Sequence, residues 1–119
     1  MAEKEKLVEA AHEQGYISEA PLVMIFCAEP KRCATEYGTR GEELFCIQDA
    51  TIACAYSQMA AHSLGLSSVW IGSFDEDKVS KILQPQDHLK PVAILPIGVS
   101  NETPEITSRR SIKEMIHEI

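Results

Sequence analysis

The sequence EELFCIQDATIACAYSQMAAHSL, residues 42–64, decides the fold of this chain. It contains no glycine or proline and consists of residues that favour helices, so it predicts one long helix from Glu42 to Leu64. Acidic residues at its start suit the positive end of the helix dipole, and Gly65 can end it in a left-handed conformation. Beyond Asp49 the helix is apolar or weakly polar on every side, and such a helix must be covered all round. One sheet in a chain of 119 residues covers only part of it, so we expect a partner subunit to cover the rest.

Helices and strands alternate along the rest of the chain. The sequence predicts helices over residues 3–14, over about 76–83 and from about Ser111, and strands over residues 21–28, 67–72 and 92–99. Residues 21–28 are a continuous apolar run, which is typical of a strand that is covered on both faces, and the other two strands are also predicted to be buried. The polar stretch 29–41 contains a proline and two glycines and predicts an irregular connection. This order predicts the α/β class, with one domain over residues 1–119 and a central sheet flanked by helices.

Four residues mark local features of these elements. Gly15 is expected to stop the first helix, and Asp75 to cap the helix near residue 76, with Pro85 beyond its end. Pro96 lies inside the third strand, where it cannot donate a ladder hydrogen bond. We interpret it as a bulge or as a position that faces an unpaired edge.

The charge of the chain limits its partners. The formal net charge is -7, and only Lys31/Arg32 and Arg109/Arg110 place two basic residues side by side. A nucleic acid would be repelled by most of this surface, so nucleic-acid binding is not expected. Residues 50–74 contain no charged side chain, but their many hydroxyl and amide groups would need partners in lipid, so no membrane span is expected either.

The four cysteines, Cys27, Cys33, Cys46 and Cys54, form no Cys-x-x-Cys pair, and no secretory signal precedes them. This usage predicts free thiols in a reducing, cytoplasmic setting and no metal site. A Cys27/Cys33 metal or redox pair is the weaker alternative, because its spacing matches no standard ligand motif. His62, late in the long helix, is interpreted as a hydrogen-bonded core residue rather than a catalytic one.

Several short motifs occur in a recognisable order. Ile-Gln-Asp-Ala lies at residues 47–50, Leu-Gly-Leu at 64–66, Trp-Ile-Gly at 70–72, Pro-Val-Ala at 91–93, and an arginine pair at 109–110. As an ordered set they resemble the second half of the nitroreductase family, from about Phe26 to the last residue. The resemblance implies the family's α+β fold and an intertwined homodimer.

The resemblance also implies a function and a site. Members of the family are FMN-dependent oxidoreductases that pass electrons from NAD(P)H to a small acceptor such as a nitro compound or a quinone. By its motif the segment Trp70, Ile71, Gly72 and Ser73 would lie against the flavin, where a glycine allows close backbone approach. Arg109 and Arg110 match basic residues that contact the FMN phosphate, a role that suits an arginine fork. Arg40 is a lesser candidate, and no catalytic side chain is expected because the flavin carries the chemistry.

Trp70, Ile71 and Gly72 have a simpler interpretation as two core residues and a turn, and Arg109 and Arg110 as a solvated pair. The family's Arg-Arg-Ser-x-Arg and Pro-Ser-x-x-Asn-x-Gln-Pro-Trp segments are absent from this sequence. We therefore expect an N-terminally truncated member. The alternative function is a non-catalytic dimeric scaffold or binding protein that has lost the cofactor site.

Overall fold

The computed structural model describes residues 2–84, 86 and 88–119, so the expected role of Pro85 lies outside the described residues. A π-helical turn, Gly41–Phe45, leads directly into the longest helix. The elements follow in the order α1 (Glu3–Ala10), α2 (Tyr16–Glu19), β1 (Leu22–Ala28), α3 (Pro30–Arg40), α4 (Cys46–Ser63), β2 (Ser67–Ser68), α5 (Glu76–Ile82), β3 (Lys90–Gly98) and α6 (Ile112–Met115).

The three strands form one antiparallel sheet in the order β1-β3-β2, so β3 is central. β1 and β3 pair from Leu22 opposite Ile97 to Ala28 opposite Lys90. The register shifts between Phe26 and Cys27, where Val92 is the extra residue on β3. A bulge of this kind bends the strand and changes the face to which the following side chains point.

Each face of the sheet carries its own apolar core. Ile94 of β3 packs on one face with buried residues of α1, α2 and α5. Ala93, Leu95 and Ile97 of the same strand point to the other face, where Cys54 and Ala61 of α4 cover them. The alternation follows from the two-residue period of a strand, and it confirms the expected sheet flanked by helices.

Pro96 explains why β2 is shorter than the predicted strand 67–72. Ile71 and Ile94 exchange backbone hydrogen bonds, so the N–H and C=O groups of Ile94 point toward β2. The backbone of Pro96, two residues further along β3, points to the same side. Pro96 has no N–H to offer there, and only its oxygen accepts a bond from the Val69 N–H, at 3.4 Å. The ladder is therefore interrupted after Ser68 and resumes as a single bridge at Ile71. Pro96 does not form the bulge, which lies at Phe26/Cys27.

The long helix is present as predicted, with the π-helical turn at its start. Cys46, Ala50, Cys54 and Ala61 form its buried stripe, at helical spacing. The opposite face is exposed in this chain, including Ile52, Tyr56, Met59 and Leu64. His62 lies on that exposed face, so its interpretation as a core histidine is wrong. Its neighbour Ala61 occupies the buried position of that turn.

The connection expected at residues 29–41 is instead α3. Pro30 occupies the first turn, where its missing N–H costs nothing, and most of the following residues tolerate a helix. Gly38 interrupts the helix with φ +62° and ψ -149°, so the chain turns sharply there. Gly41 then packs against α3 so closely that an added Cβ would lie 2.5 Å from the backbone oxygen of Cys33.

The ends of the remaining helices agree in part with the prediction. The Asp75 carboxylate accepts a hydrogen bond from the Lys78 N–H at 3.0 Å, which confirms the cap of α5. Ser111 begins α6 through a capping box with Glu114. α1 ends at Ala10 rather than at Gly15, because His12 and Glu13 adopt positive φ angles.

The carboxyl-terminal segment projects from the body of the protein. Every residue from Val99 to Ile119 is exposed. The radius of gyration of 16.5 Å exceeds the roughly 13–14 Å that a compact chain of this length would have. The exposed residues of this tail include Ile106, Ile112 and Ile116.

Candidate functional site

The segment Trp70–Ser73 is anchored to the centre of the sheet. The Ile71 N–H donates to the Ile94 oxygen at 2.9 Å, and the Ile94 N–H donates to the Ile71 oxygen at 3.0 Å. The Ile71 side chain is 2% exposed and packs in the core beneath α1 and α5. Ile71 is therefore a core residue, as the simpler interpretation held, and it fixes the position of the residues that follow.

Gly72 and Ser73 bring the backbone to the surface beyond this anchor. Both are exposed, and among the described residues only the Trp70 ring lies within 4 Å of where a Gly72 Cβ would be. Gln14 donates from its side-chain amide to the Ser73 oxygen at 3.3 Å. The Asp75 N–H donates to the Ala10 oxygen at 2.8 Å, so α1 and its following turn hold the segment from below.

Trp70 lies on the other face of the sheet from Ile71. Its half-buried indole packs against the cluster that contains Cys54, Ala61 and Leu66. The indole Nε1 lies 3.8 Å from the position of a Gly72 Cβ, so the ring borders the exposed backbone. Open glycine backbone beside an aromatic ring can receive a flat ligand such as an isoalloxazine ring.

Arg109 and Arg110 lie in the projecting tail, not beside this segment. Both are exposed, and among the described residues the Arg109 guanidinium donates only to its neighbours in the tail, including the Ser108 oxygen at 3.0 Å. One folded chain therefore does not bring the predicted phosphate-binding residues together with the predicted flavin-ring residues. Their common role in one site stays a prediction.

Arg40 contributes to local structure where α3 meets α4. Its guanidinium lies over the Phe45 ring, 5.7 Å from the ring centroid. Tyr37 packs edge-to-face on the same ring, with centroids 5.5 Å apart. These contacts give Arg40 a cation–π role in closing the turn around Gly38.

The thiols of all four cysteines are unpaired. Burial raises the pKa of the Cys27 and Cys54 thiols. The pKa of Cys33 is also raised, first by partial burial and then by the Asp49 carboxylate and the neighbouring Cys46. In the part of the chain that the structure describes, no three His, Cys, Asp or Glu residues are arranged to hold a metal ion.

Two features of this region have no signal in the sequence. Gln14 reaches Ser73 across 59 positions of the chain, and no local pattern marks such a contact. A cavity of about 490 Å³ lies along β2 and the end of β3, with Ser67, Val69 and Asn101 among the residues that line it. Over the described residues, no helix has the length and apolar character needed to span a membrane.

Comparison with known proteins identifies the family. The sequence model of the nitroreductase family matches residues 2–99. The FMN reductase (NADPH) of Bacillus subtilis is 31% identical over 108 residues, which cover 80% of this chain and 43% of that protein. The oxygen-insensitive NADPH nitroreductase of Salmonella typhimurium is 27% identical, over 97% of this chain and 51% of that protein.

A solved structure shares the fold. The NfrA1 nitroreductase of Bacillus subtilis superposes with a TM-score of 0.81 at 27% identity, over 98% of this chain and 52% of that one. The fold is that of an α/β protein with a small antiparallel sheet between helices, and the chain belongs to the nitroreductase family, as the ordered motifs predicted. The chain spans about half the length of the curated relatives it matches.

Proposed function

We propose that this chain is part of an FMN-dependent oxidoreductase that passes electrons from NADH or NADPH to a small organic acceptor such as a nitro compound or a quinone. The main support is the exposed backbone of Gly72 beside Trp70, held in place by the Ile71–Ile94 bridge. Two relatives that are named as an FMN reductase and a nitroreductase give further support. A cytoplasmic location and free thiols are consistent parts of the same proposal.

The residues of this chain would contribute binding and orientation. Gly72 offers a face without a side chain, Ser73 is fixed by Gln14, and Trp70 forms one border of the surface. When bound, FMN supplies the hydride and electron chemistry, so no side chain of this segment need act as an acid or base. Arg109 and Arg110 would hold the phosphate, since a guanidinium fork matches its oxygens.

The proposed protein is a homodimer. The exposed face of α4 carries Ile52, Tyr56 and Met59, and both Tyr56 and Met59 are 70% exposed. An apolar face of this size is unusual on a monomer and typical of an interface. A second copy would cover it, and the projecting tail of one copy could then carry Arg109 and Arg110 to the segment of the other.

One observation favours the alternative of a non-catalytic dimeric scaffold. Within a single chain the two arginines lie on the tail and the ring-binding segment on the body, so the site is not assembled. A scaffold of this kind would keep the sheet, α4 and the dimer and would bind no flavin.

A comparison of Gly72→Val with the unchanged chain separates these functions. Nothing but the Trp70 ring approaches Gly72 among the described residues, so valine should fit without loss of stability and occupy the flavin face. We expect the unchanged chain, titrated with FMN at equilibrium, to bind it more tightly than the variant and, with FMN in excess, to oxidise NADPH with a quinone. Equal FMN affinity of both proteins, or no binding by either, would refute the proposed site and favour the scaffold.

A further inference from the structure

Cys33 and Cys46 lie together where α3 packs against the start of α4. Both contact a single apolar cluster that also contains Ala28, Ala50 and Val92. Both also line a surface cavity of about 650 Å³. The sharp turn at Gly38 and the close packing of Gly41 on α3 bring the two helices together at this point.

The other two cysteines have different surroundings. Cys54 is fully buried in the cluster beneath α4 that includes Ala61 and Leu95. Cys27 lies in β1, opposite Pro91. Neither shares the cavity of Cys33 and Cys46. The sequence had suggested Cys27 and Cys33 as the weaker candidate pair, whereas the packing pairs Cys33 with Cys46.

The two thiols differ in access. Cys33 is partly exposed at the cavity, whereas Cys46 is 4% exposed and its thiol donates to the Glu42 oxygen at 3.0 Å. Redox-sensing cysteines are solvent-accessible and often lie next to a second, resolving cysteine, and the positions of Cys33 and Cys46 match that arrangement. We propose that Cys33 and Cys46 are a redox-active dithiol that a hydroperoxide oxidises to an intramolecular disulfide.

The reaction takes place in two balanced steps. The Cys33 thiolate attacks the hydroperoxide ROOH, the O–O bond breaks, and a sulfenic acid and ROH are formed once a proton reaches the leaving oxygen. The Cys46 sulfur then attacks the sulfenic sulfur, the S–S bond forms and water leaves. Overall, two thiols and ROOH give one disulfide, ROH and water, and the two electrons pass from sulfur to the peroxide.

The surroundings of Cys33 set the pH dependence of this reaction. Partial burial, Asp49 and Cys46 raise the pKa of Cys33, so little of the reactive thiolate is present at neutral pH. The other charged or titratable residues of the cavity are Glu29, Arg32, Glu36 and Tyr37, and Arg32 pairs with Glu29 at 3.6 Å. The oxidation rate should therefore rise by roughly tenfold per pH unit below the thiol pKa, and Asp49→Asn should increase it at pH 7.5.

The first test compares two double variants of the full chain. Cys27→Ser/Cys54→Ser keeps only the proposed pair, and Cys33→Ser/Cys46→Ser keeps only the other two cysteines. Both variants are treated with hydrogen peroxide and then alkylated under denaturing conditions. The first variant should have no free thiol to alkylate, its mass should fall by two hydrogens, and it should remain a single chain. The second should keep its thiols over the same period. Equal loss in both variants, or a disulfide between chains, would overturn the proposal.

Peptide mapping of the unchanged chain keeps the test valid if a serine variant fails to fold. Trypsin leaves Cys33 in residues 33–40, and further cleavage at Asp49 separates Cys46 from Cys54. We expect a disulfide between the Cys33 and Cys46 peptides of the unchanged chain. Because Asp49→Asn removes this cleavage site, the rate is followed as loss of free thiols, which should be faster in Asp49→Asn than in the surface control Asp77→Asn. Sulfinic acid at Cys33 without a disulfide, or equal rates in the two asparagine variants, would contradict it.

Discussion

Ile71 and Ile94 exchange two backbone hydrogen bonds, of 2.9 and 3.0 Å, in an isolated bridge beyond the end of β2. This bridge fixes the start of the exposed Gly72–Ser73 backbone relative to the central strand. Both side chains are buried in the cluster beneath α1 and α5. The rigidity of the candidate site therefore depends on the same residues as the core.

Shortening Ile94 should destabilise the whole fold. Ile94 is fully buried, and its replacement leaves a cavity between the sheet and α1. We expect Ile94→Ala to lower the free energy of unfolding by about 2–5 kcal/mol, and Ile94→Val by about 0.5–1.5 kcal/mol. Urea denaturation measures both. Ile106→Ala, at a fully exposed position of the tail, is the matched control and should change little.

Gly41 packs closely against α3 just before the start of α4. A Cβ at this position would lie 2.5 Å from the Cys33 oxygen and 2.8 Å from the Tyr37 Cβ, so one helix would have to shift. Gly41→Ala should therefore cost about 1–3 kcal/mol of stability. Gly15→Ala has open space around it and should be neutral or slightly stabilising. Equal midpoints of thermal unfolding for the two variants would contradict this account of the turn.

Local patterns in the sequence predicted most of the fold. The apolar runs predicted β1 and β3, and Asp75 predicted the cap of α5, because these features depend on a few adjacent residues. α3 was missed because one proline and two glycines outweighed the helix-forming residues between them. His62 was misjudged because an apolar helix does not reveal which face a single chain buries.

The candidate site was harder to predict than the fold. The motif located the segment Trp70–Ser73, but its support comes from Gln14 and Ala10, far away in the sequence. The sequence also could not show that Arg109 and Arg110 lie on a projecting tail. The tail is exposed and is not held by packing against its own chain, so the patterns that predict packing do not predict its position.

Charges on the exposed face of α4 should prevent dimerisation without unfolding the chain. Tyr56 and Met59 contribute large apolar surfaces that are exposed in one copy, so a charge at each would be buried in the proposed interface. We expect the unchanged chain to sediment as a dimer at micromolar concentration and Tyr56→Glu/Met59→Glu as a folded monomer. Lys81→Glu, exposed on α5, should remain dimeric. A monomeric unchanged chain would refute the homodimer.

Flavin affinity provides the most direct test of the proposed site, whose ring-binding segment lies on the body of the chain and whose two arginines lie on the tail. A hydrogen bond to a charged group contributes about 1.5–3 kcal/mol, and about 1.4 kcal/mol corresponds to a tenfold change in affinity. The 119-residue chain lacks the two amino-terminal motifs that the family resemblance assigns to the phosphate and the ring. Without those contacts, the remaining site consists of the backbone at Gly72 and the two arginines, so FMN binding by this chain should be weak.

Trp70 is the single tryptophan of the sequence and borders the exposed Gly72 backbone, so quenching of its fluorescence reports a ligand at that position. Titration with FMN should quench it with a dissociation constant above the micromolar range. Arg109→Ala/Arg110→Ala should weaken binding by about tenfold or more, because each guanidinium contact with the phosphate is charge-assisted. Lys31→Ala/Arg32→Ala removes the other adjacent basic pair and should leave the affinity unchanged. Sub-micromolar affinity would show that more of the site survives than the backbone and two cations. Equal affinities for the two double variants would place the phosphate away from the tail.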